Sequence, residues 1–124
     1  MKELLLVFIG GGLGSITRFL VGRFYQMWQP SFPLATLTAN FLSCLIFGAV
    51  MMLGVEKLNL NYGLKLLLIT GFCGGFSTYS AFTFETVELF KNGQNALALG
   101  NIVLSFMLSA GGLYLGIWAV KVLA

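Results

Sequence analysis

The chain has 124 residues, of which 58% are hydrophobic and 9% are charged, and its formal net charge is +3 at neutral pH. Too few polar side chains remain to cover the surface of a soluble domain of this length, so the composition indicates an integral membrane protein. The sequence contains no histidine and offers no set of a nucleophile, a base and an orienting group, so we expect no enzyme.

Four apolar segments are long enough to cross a hydrocarbon core of about 30 Å as helices. The first covers residues 4–21 and contains Arg18 near its end, whereas residues 34–52, 66–84 and 96–120 carry no charge. Pro30 and Pro33 act as helix breakers between the first two segments. The sequence therefore predicts an all-α integral membrane protein with both termini on one side. We expect a single domain, 1–124, with spans at about 4–24, 34–55, 64–90 and 96–120 and loops around 26–33, 56–62 and 91–95.

The first segment has some features of a cleaved signal peptide, because Lys2 precedes an apolar run. Glu3 lies in the leader, however, and no Ala-x-Ala-like cleavage site follows. We therefore expect this segment to be retained as a transmembrane helix.

Basic residues give only a weak signal for orientation. Lys2, Lys57, Lys65 and Lys121 lie on the side of the termini, and Arg23 and Lys91 lie on the other side. Cytoplasmic loops normally carry a clear excess of Lys and Arg. The small difference here permits insertion in both directions, and hence an antiparallel dimer, but it agrees equally well with one orientation set by the terminal lysines.

Glycine pairs at four-residue spacing predict close helix packing. They are Gly10 with Gly14, Gly71 with Gly75, and Gly112 with Gly116. In lipid, such pairs let helix backbones approach each other closely. Because a small four-helix bundle fills its own centre with side chains, we expect an ion pathway in this chain to require oligomerisation.

The third segment combines adjacent glycines with a run of hydroxyl and aromatic side chains, GFCGGFSTYSAFTFE, in residues 71–85. Each glycine weakens a helix by about 1 kcal/mol relative to alanine. Backbone groups freed by a helix interruption inside a bilayer need protein, water or an ion as partners. We therefore expect an interrupted helix and a functional site in this segment.

Polar residues in the other spans recur at helical spacing, and two interpretations of them stay open. Thr36 and Asn40 lie on the second span, and Asn101, Ser105 and Ser109 form one stripe on the fourth. Such residues either form hydrogen bonds between helices or line an ion path. The third span favours the ion path and an anion, because Tyr79 and Phe82 share a helix face there and aromatic ring edges are positive. Cys44 and Cys73, on separate spans, are interpreted as small apolar residues.

Three segments resemble the Fluc/CrcB family of fluoride channels, and the resemblance extends over essentially the whole chain. They are GGLGSITR in residues 11–18, ATLTAN in residues 35–40 and the run in residues 71–85. The resemblance implies a fluoride-selective channel for passive export from the cytoplasm, located in the prokaryotic inner membrane as an antiparallel, dual-topology homodimer with two pores. It also implies a break of the third helix at residues 74–78, with one structural sodium ion at the dimer centre bound by the backbone carbonyls of Gly74 and Ser77.

The same resemblance implies roles for individual side chains. The fluoride pathway would be formed by Asn40, Tyr79, Phe82, Ser80, Thr83, Ser105 and Ser109, and the vestibule by Arg18 and Glu85. Tyr79 stands where the family usually has phenylalanine. Its ring edge or its hydroxyl would then meet the anion, or the hydroxyl would point into a helix contact.

Two other functional classes are weighed against the channel. A small dual-topology multidrug exporter also has four spans, but proton coupling there requires an acidic residue in the middle of the first span, and the sequence has none. A non-transporting packing subunit would leave the hydroxyl stripes and the interrupted helix unexplained.

Overall fold

The computed structural model describes residues 1–54 and 60–123 of the chain. Its helices are α1 (Lys2–Gln26), α2 (Leu34–Met52), α3 (Tyr62–Lys65), a π-helical segment (Leu66–Cys73), α4 (Gly74–Phe76), α5 (Tyr79–Lys91) and α6 (Asn95–Leu123). The elements from α3 to α5 together form the third span, so four helical segments are long and apolar enough to cross a membrane. This confirms the predicted all-α class and the number of spans. Residues 55–59, which include the end of the predicted second span and most of the predicted loop at 56–62, lie outside the described residues.

Glycines bring α1 against the third span. Gly10 and Gly14 are buried, and a Cβ atom at either position would overlap a backbone carbonyl oxygen, that of Leu67 or of Phe72. A Cβ at Gly75 would likewise overlap the carbonyl oxygen of Gly11. The close approach expected from the glycine spacing is therefore present, and it is made within one chain.

A second glycine-rich contact joins α2 to α6. A Cβ at Gly48 would overlap the carbonyl oxygen of Leu113, and a Cβ at Gly116 would overlap that of Leu45. Because both obstacles are backbone atoms, no change of side-chain rotamer would relieve the overlap. The chain thus consists of two tightly packed helix pairs, α1 with the third span and α2 with α6.

The third span contains two consecutive residues with extended backbone. Ser77 has φ −77° and ψ 156°, and Thr78 has φ −151° and ψ 119°. The predicted interruption covers residues 74–78, but Gly74 and Gly75 are helical and belong to α4. The physical reason is the cap of the next helix: Thr78 begins α5 by accepting a hydrogen bond from the Ala81 N–H at 3.1 Å, which places the extended residues immediately before Tyr79.

Candidate functional site

A groove of about 400 Å³ lies beside the extended residues, between α2, α5 and α6. We call it the α2–α5–α6 groove. Its lining comprises Asn40, Cys44, Ser77, Thr78, Tyr79, Phe82, Ile102, Ser105, Phe106 and Ser109. The structure thus brings together residues from three spans that the sequence analysis singled out separately, including the aromatic pair and the polar stripe of the fourth span.

The two aromatic rings of α5 lie next to each other in this groove. The ring centroids of Tyr79 and Phe82 are 5.7 Å apart, and the ring planes are tilted by 46°. Tyr79 is 79% exposed in the single chain, whereas Phe82 is half-buried. One wall of the groove is therefore aromatic, and most of the Tyr79 side chain projects beyond the packing of the protomer.

Asn40 contacts the main chain of Thr78 from α2. The Thr78 N–H donates to Asn40 Oδ1 at 2.8 Å, and Asn40 Nδ2 donates to the Thr78 carbonyl oxygen at 3.3 Å. The side chain predicted to lie on an ion path therefore also satisfies backbone groups that a continuous helix would have paired.

The extended backbone changes the hydrogen-bond acceptors of two main-chain N–H groups, those of Thr78 and Ala81. In a continuous helix, the Thr78 N–H would donate to the Gly74 carbonyl and the Ala81 N–H to the Ser77 carbonyl. They donate instead to Asn40 Oδ1 and to Thr78 Oγ1. The carbonyls of Gly74 and Ser77 thereby lose their helical donors, and these are the two carbonyls for which the resemblance implies a role in binding sodium.

Polar side chains bond two further carbonyls of this region. Arg18 Nε donates to the Gly75 carbonyl oxygen at 3.2 Å, so the arginine of α1 reaches the third span. The hydroxyls of Ser43 and Ser77 both donate to the Cys73 carbonyl oxygen, at 3.0 Å and 2.8 Å. Such bonds matter in a bilayer, where water is not present to replace them.

Within the polar stripe of α6, Asn101 forms a hydrogen bond between helices, whereas Ser105 and Ser109 line the groove. Asn101 is 2% exposed, donates to Thr86 Oγ1 at 2.9 Å and accepts from the Ser105 hydroxyl at 3.1 Å. Thr86 in turn donates to the Phe82 carbonyl oxygen at 2.7 Å. Asn101 therefore joins α6 to α5, while Ser105 and Ser109 line the groove.

Ser80 and Thr83 do not line the groove, although the resemblance implies the same pathway for them as for Tyr79 and Phe82. The Ser80 hydroxyl lies 3.2 Å from Thr78 Oγ1, and the Thr83 hydroxyl donates to the Tyr79 carbonyl oxygen at 2.9 Å. Both residues are exposed in the single chain. The geometric reason is that each follows its aromatic neighbour by one position, which turns its side chain by about 100° around the helix.

A second cavity of about 420 Å³ lies on the other side of Thr78, against α1. We call it the α1 cavity. Its lining comprises Ser15, Arg18, Phe19, Gly22, Arg23, Gln26, Ala35, Thr36, Thr78 and Ala81. Glu85 accepts a hydrogen bond from the Thr36 hydroxyl and lines a neighbouring cavity with Glu88. Arg23 lines this cavity as well, although it follows Arg18 by five positions, or about 140° around α1, so helical spacing alone does not place the two together.

Side chains offer no cluster for a metal ion in the described part of the chain. Among residues 1–54 and 60–123, no group of three or more Cys, Asp or Glu residues is placed to hold one.

Comparisons with known proteins agree with one another over nearly the whole chain. Residues 5–117 match the family described as CrcB-like protein, Camphor Resistance (CrcB). A protein of Gloeothece citriformis named fluoride-specific ion channel FluC is 42% identical over 122 residues, covering 98% of both chains. Proteins with the same name from Phocaeicola vulgatus and Maridesulfovibrio salexigens are 38% and 41% identical, covering 95% and 94% of this chain and 98% and 96% of theirs.

Proposed function

The chain belongs to the CrcB-like family of multi-pass prokaryotic membrane proteins, which are channels rather than enzymes. We propose that it is a fluoride channel that lets cytoplasmic fluoride leave the cell down its gradient. The observation that carries the proposal is the α2–α5–α6 groove, which gathers Asn40, the aromatic pair and two serines beside the extended residues of the third span. The names of the relatives supply the identity of the anion.

The lining of the groove is suited to brief binding of an anion. Aromatic ring edges and an amide N–H replace part of the hydration shell with neutral dipoles. Within the described residues, no Lys or Arg lines the groove, so no full positive charge holds the anion there. Tyr79, Phe82, Asn40, Ser105 and Ser109 are the proposed pathway residues, with Ser80 and Thr83 belonging to it only where a partner chain meets α5.

A second copy of the chain would complete this site. Tyr79 projects beyond the protomer, and the exposed polar residues Thr70, Ser80 and Thr83 lie inside a span that would otherwise face lipid. We propose an antiparallel homodimer in which these surfaces meet. The small difference in Lys and Arg between the two sides of the membrane is compatible with insertion of copies in opposite directions.

A sodium ion at the centre of that dimer would bind the carbonyls of Gly74 and Ser77 from both copies. Support comes from the diversion of the Thr78 and Ala81 N–H groups, which removes the helical donors of these carbonyls. A hard cation would satisfy such oxygens within the membrane, as in other broken-helix sites. Replacing sodium with N-methylglucamine in all buffers is then expected to reduce fluoride flux.

Arg18 and Glu85 would belong to the vestibule through which fluoride reaches the groove. Arg18 lines the α1 cavity while its Nε bonds the Gly75 carbonyl, and Glu85 is attached to the same region through Thr36. The remaining N–H groups of the Arg18 guanidinium would attract anions towards Thr78, which lines both cavities.

Efflux from proteoliposomes tests the proposed function. Purified protein is reconstituted into vesicles loaded with potassium fluoride or potassium chloride, and valinomycin is added while a halide electrode follows release. We expect rapid fluoride efflux, little chloride efflux and no requirement for a proton gradient. Equal release of both halides would contradict selectivity, and absence of fluoride release from correctly folded protein would contradict the channel.

A further inference from the structure

A single side chain on α2 bonds both main-chain polar groups of Thr78. The Thr78 N–H donates to Asn40 Oδ1 at 2.8 Å, and Asn40 Nδ2 donates to the Thr78 carbonyl oxygen at 3.3 Å. This is the pattern by which one β-strand residue exchanges two hydrogen bonds with a residue of a neighbouring strand. The side-chain amide of Asn40 thus takes the place of a strand partner.

Such a pair depends on the backbone conformation of Thr78. In an extended residue, N–H and C=O point to the same side, whereas in a helix they point in opposite directions along the axis. Thr78 has the extended values φ −151° and ψ 119°, and its own hydroxyl accepts a hydrogen bond from the Ala81 N–H. Asn40 therefore recognises the extended state of Thr78, and the cap on α5 helps to maintain that state.

The pair also fixes the orientation of the Asn40 amide. A main-chain N–H only donates and a carbonyl only accepts, so the oxygen of Asn40 has to face the Thr78 N–H and the nitrogen has to face the Thr78 carbonyl. Asn40 Nδ2 carries two hydrogen atoms, and the pair with Thr78 uses the one on the same side as Oδ1. The other N–H remains on a residue that lines the α2–α5–α6 groove.

Neighbouring hydroxyls in the groove have other acceptors. Ser77 donates to the Cys73 carbonyl oxygen at 2.8 Å, and Ser105 donates to Asn101 Oδ1 at 3.1 Å. Each hydroxyl has only one hydrogen atom to donate. The second N–H of Asn40 is therefore a donor that is not used in the pair with Thr78. Its direction is fixed because the pair fixes the plane of the amide.

We propose that Thr78 is a positioning residue of the anion site, whose extended main chain holds Asn40 in one orientation and so directs the second Asn40 N–H at an anion in the groove. The identity of that anion as fluoride rests on the proposed function, whereas the pairing of Asn40 with Thr78 does not. Thr78 acts through its N–H and C=O, and its hydroxyl contributes only by capping α5.

Replacing Thr78 with the corresponding α-hydroxy acid tests this role, because the resulting ester lacks the N–H that bonds Asn40 Oδ1. The ester also makes the Ser77 carbonyl a weaker acceptor, so efflux is measured at saturating sodium, and a loss that high sodium restores would overturn the proposal. The matched control is the same amide-to-ester change at Leu97, which lies in the first turn of α6, where an N–H has no helical acceptor. We expect the ester at Thr78 to reduce fluoride efflux at least about tenfold, equivalent to about 1.4 kcal/mol in the barrier, and the ester at Leu97 to change it less than about twofold. Wild-type efflux from the Thr78 ester would overturn the proposal.

Nuclear magnetic resonance of the ¹⁵N-labelled Asn40 side chain gives a second measurement that does not depend on a variant folding. Titration of the wild-type protein with sodium fluoride is expected to shift one of the two side-chain N–H protons and leave the other, which bonds Thr78, nearly unchanged. Equal shifts of both protons, or averaging of the two by rotation, would overturn the fixed orientation.

Failure of this inference is distinguishable from failure of the proposed function. If wild-type vesicles release no fluoride, the function and the anion-directed part of the inference are both wrong. The pairing itself is then judged by hydrogen exchange without fluoride, where the Thr78 N–H is expected to be protected. Rapid exchange of that N–H in a protein that conducts fluoride would overturn the pairing alone.

Discussion

Gly10→Ala perturbs the closest contact between α1 and the third span. The added Cβ would overlap the Leu67 carbonyl oxygen and lie 3.0 Å from both the Gly71 Cα and the Phe72 nitrogen. All three are backbone atoms, so α1 has to move away as a whole. A separation of about 0.5–1 Å forfeits a quarter to a half of the attraction at each contact. Overpacking of this kind costs about 1–3 kcal/mol, and the better helix propensity of alanine returns at most about 1 kcal/mol. We expect a net loss of about 1–2 kcal/mol in the free energy of unfolding.

Gly12→Ala is the matched control, because it lies in the same glycine run of the same helix and its Cβ would meet no atom within 4 Å. Its free energy of unfolding is expected to stay the same or rise by up to about 1 kcal/mol. Both values are measured by titrating the protein from dodecylmaltoside into SDS micelles and following helicity by circular dichroism. The reasoning is refuted if Gly10→Ala is as stable as Gly12→Ala.

Three further predictions concern the groove, the α1 cavity and the α5–α6 contact. Phe82→Leu should lower fluoride efflux at least about tenfold, because it removes a ring edge, while Phe90→Leu near the end of the same helix should change it less than about twofold; comparable losses would contradict a special role for Phe82. Arg23→Gln should lower efflux about two- to threefold at an ionic strength of about 0.01 M and have little effect at about 1 M, because the Debye length falls from about 30 Å to about 3 Å. Lys91→Gln is its control, and an effect of Arg23→Gln that is independent of salt would exclude electrostatic attraction. Asn101→Leu should lower the free energy of unfolding by about 1–2 kcal/mol, because it removes the hydrogen bond to Thr86 on α5 and the hydrogen bond from Ser105 on α6, each contributing about 0.6 kcal/mol or more. An SDS titration equal to that of the wild type would contradict this.

The number and extent of the spans follow from hydropathy because the bilayer sets a minimum length for an apolar helix. The uncharged runs at 34–52, 66–84 and 96–120 all lie in helices that are long enough to cross a membrane. Glycine spacing likewise predicts close contacts, but it does not say which helix is approached. Gly10 and Gly14 contact the third span, whereas Gly116 contacts α2, and only the folded chain decides between these partners.

Placement of polar side chains was less predictable than their presence. Ser80 and Thr83 lie in the run at residues 71–85 that contributes to the resemblance, yet their hydroxyls bond Thr78 Oγ1 and the Tyr79 carbonyl oxygen and do not line the groove. Sequence spacing gives the face of a helix but not the face that a neighbouring helix covers. The same limit explains why Arg23 was missed, since its position in the α1 cavity depends on how α1 meets α2.

Hydrogen-bond direction narrows the set of groups that would select an anion more sharply than composition does. Ser77 and Ser105 line the groove, but each donates its hydrogen to a protein acceptor, so an anion would have to break an existing bond to use either hydroxyl. The second N–H of Asn40 and the edges of the Tyr79 and Phe82 rings make no such demand. A fixed, neutral donor of this kind binds a small halide more strongly than a large one, because the interaction strengthens as the distance to the donor falls, and this offsets part of the larger cost of removing water from the smaller ion. In the proposed channel, selectivity would therefore come from a few oriented dipoles, while the lack of a charged side chain among the described groove residues allows the anion to leave.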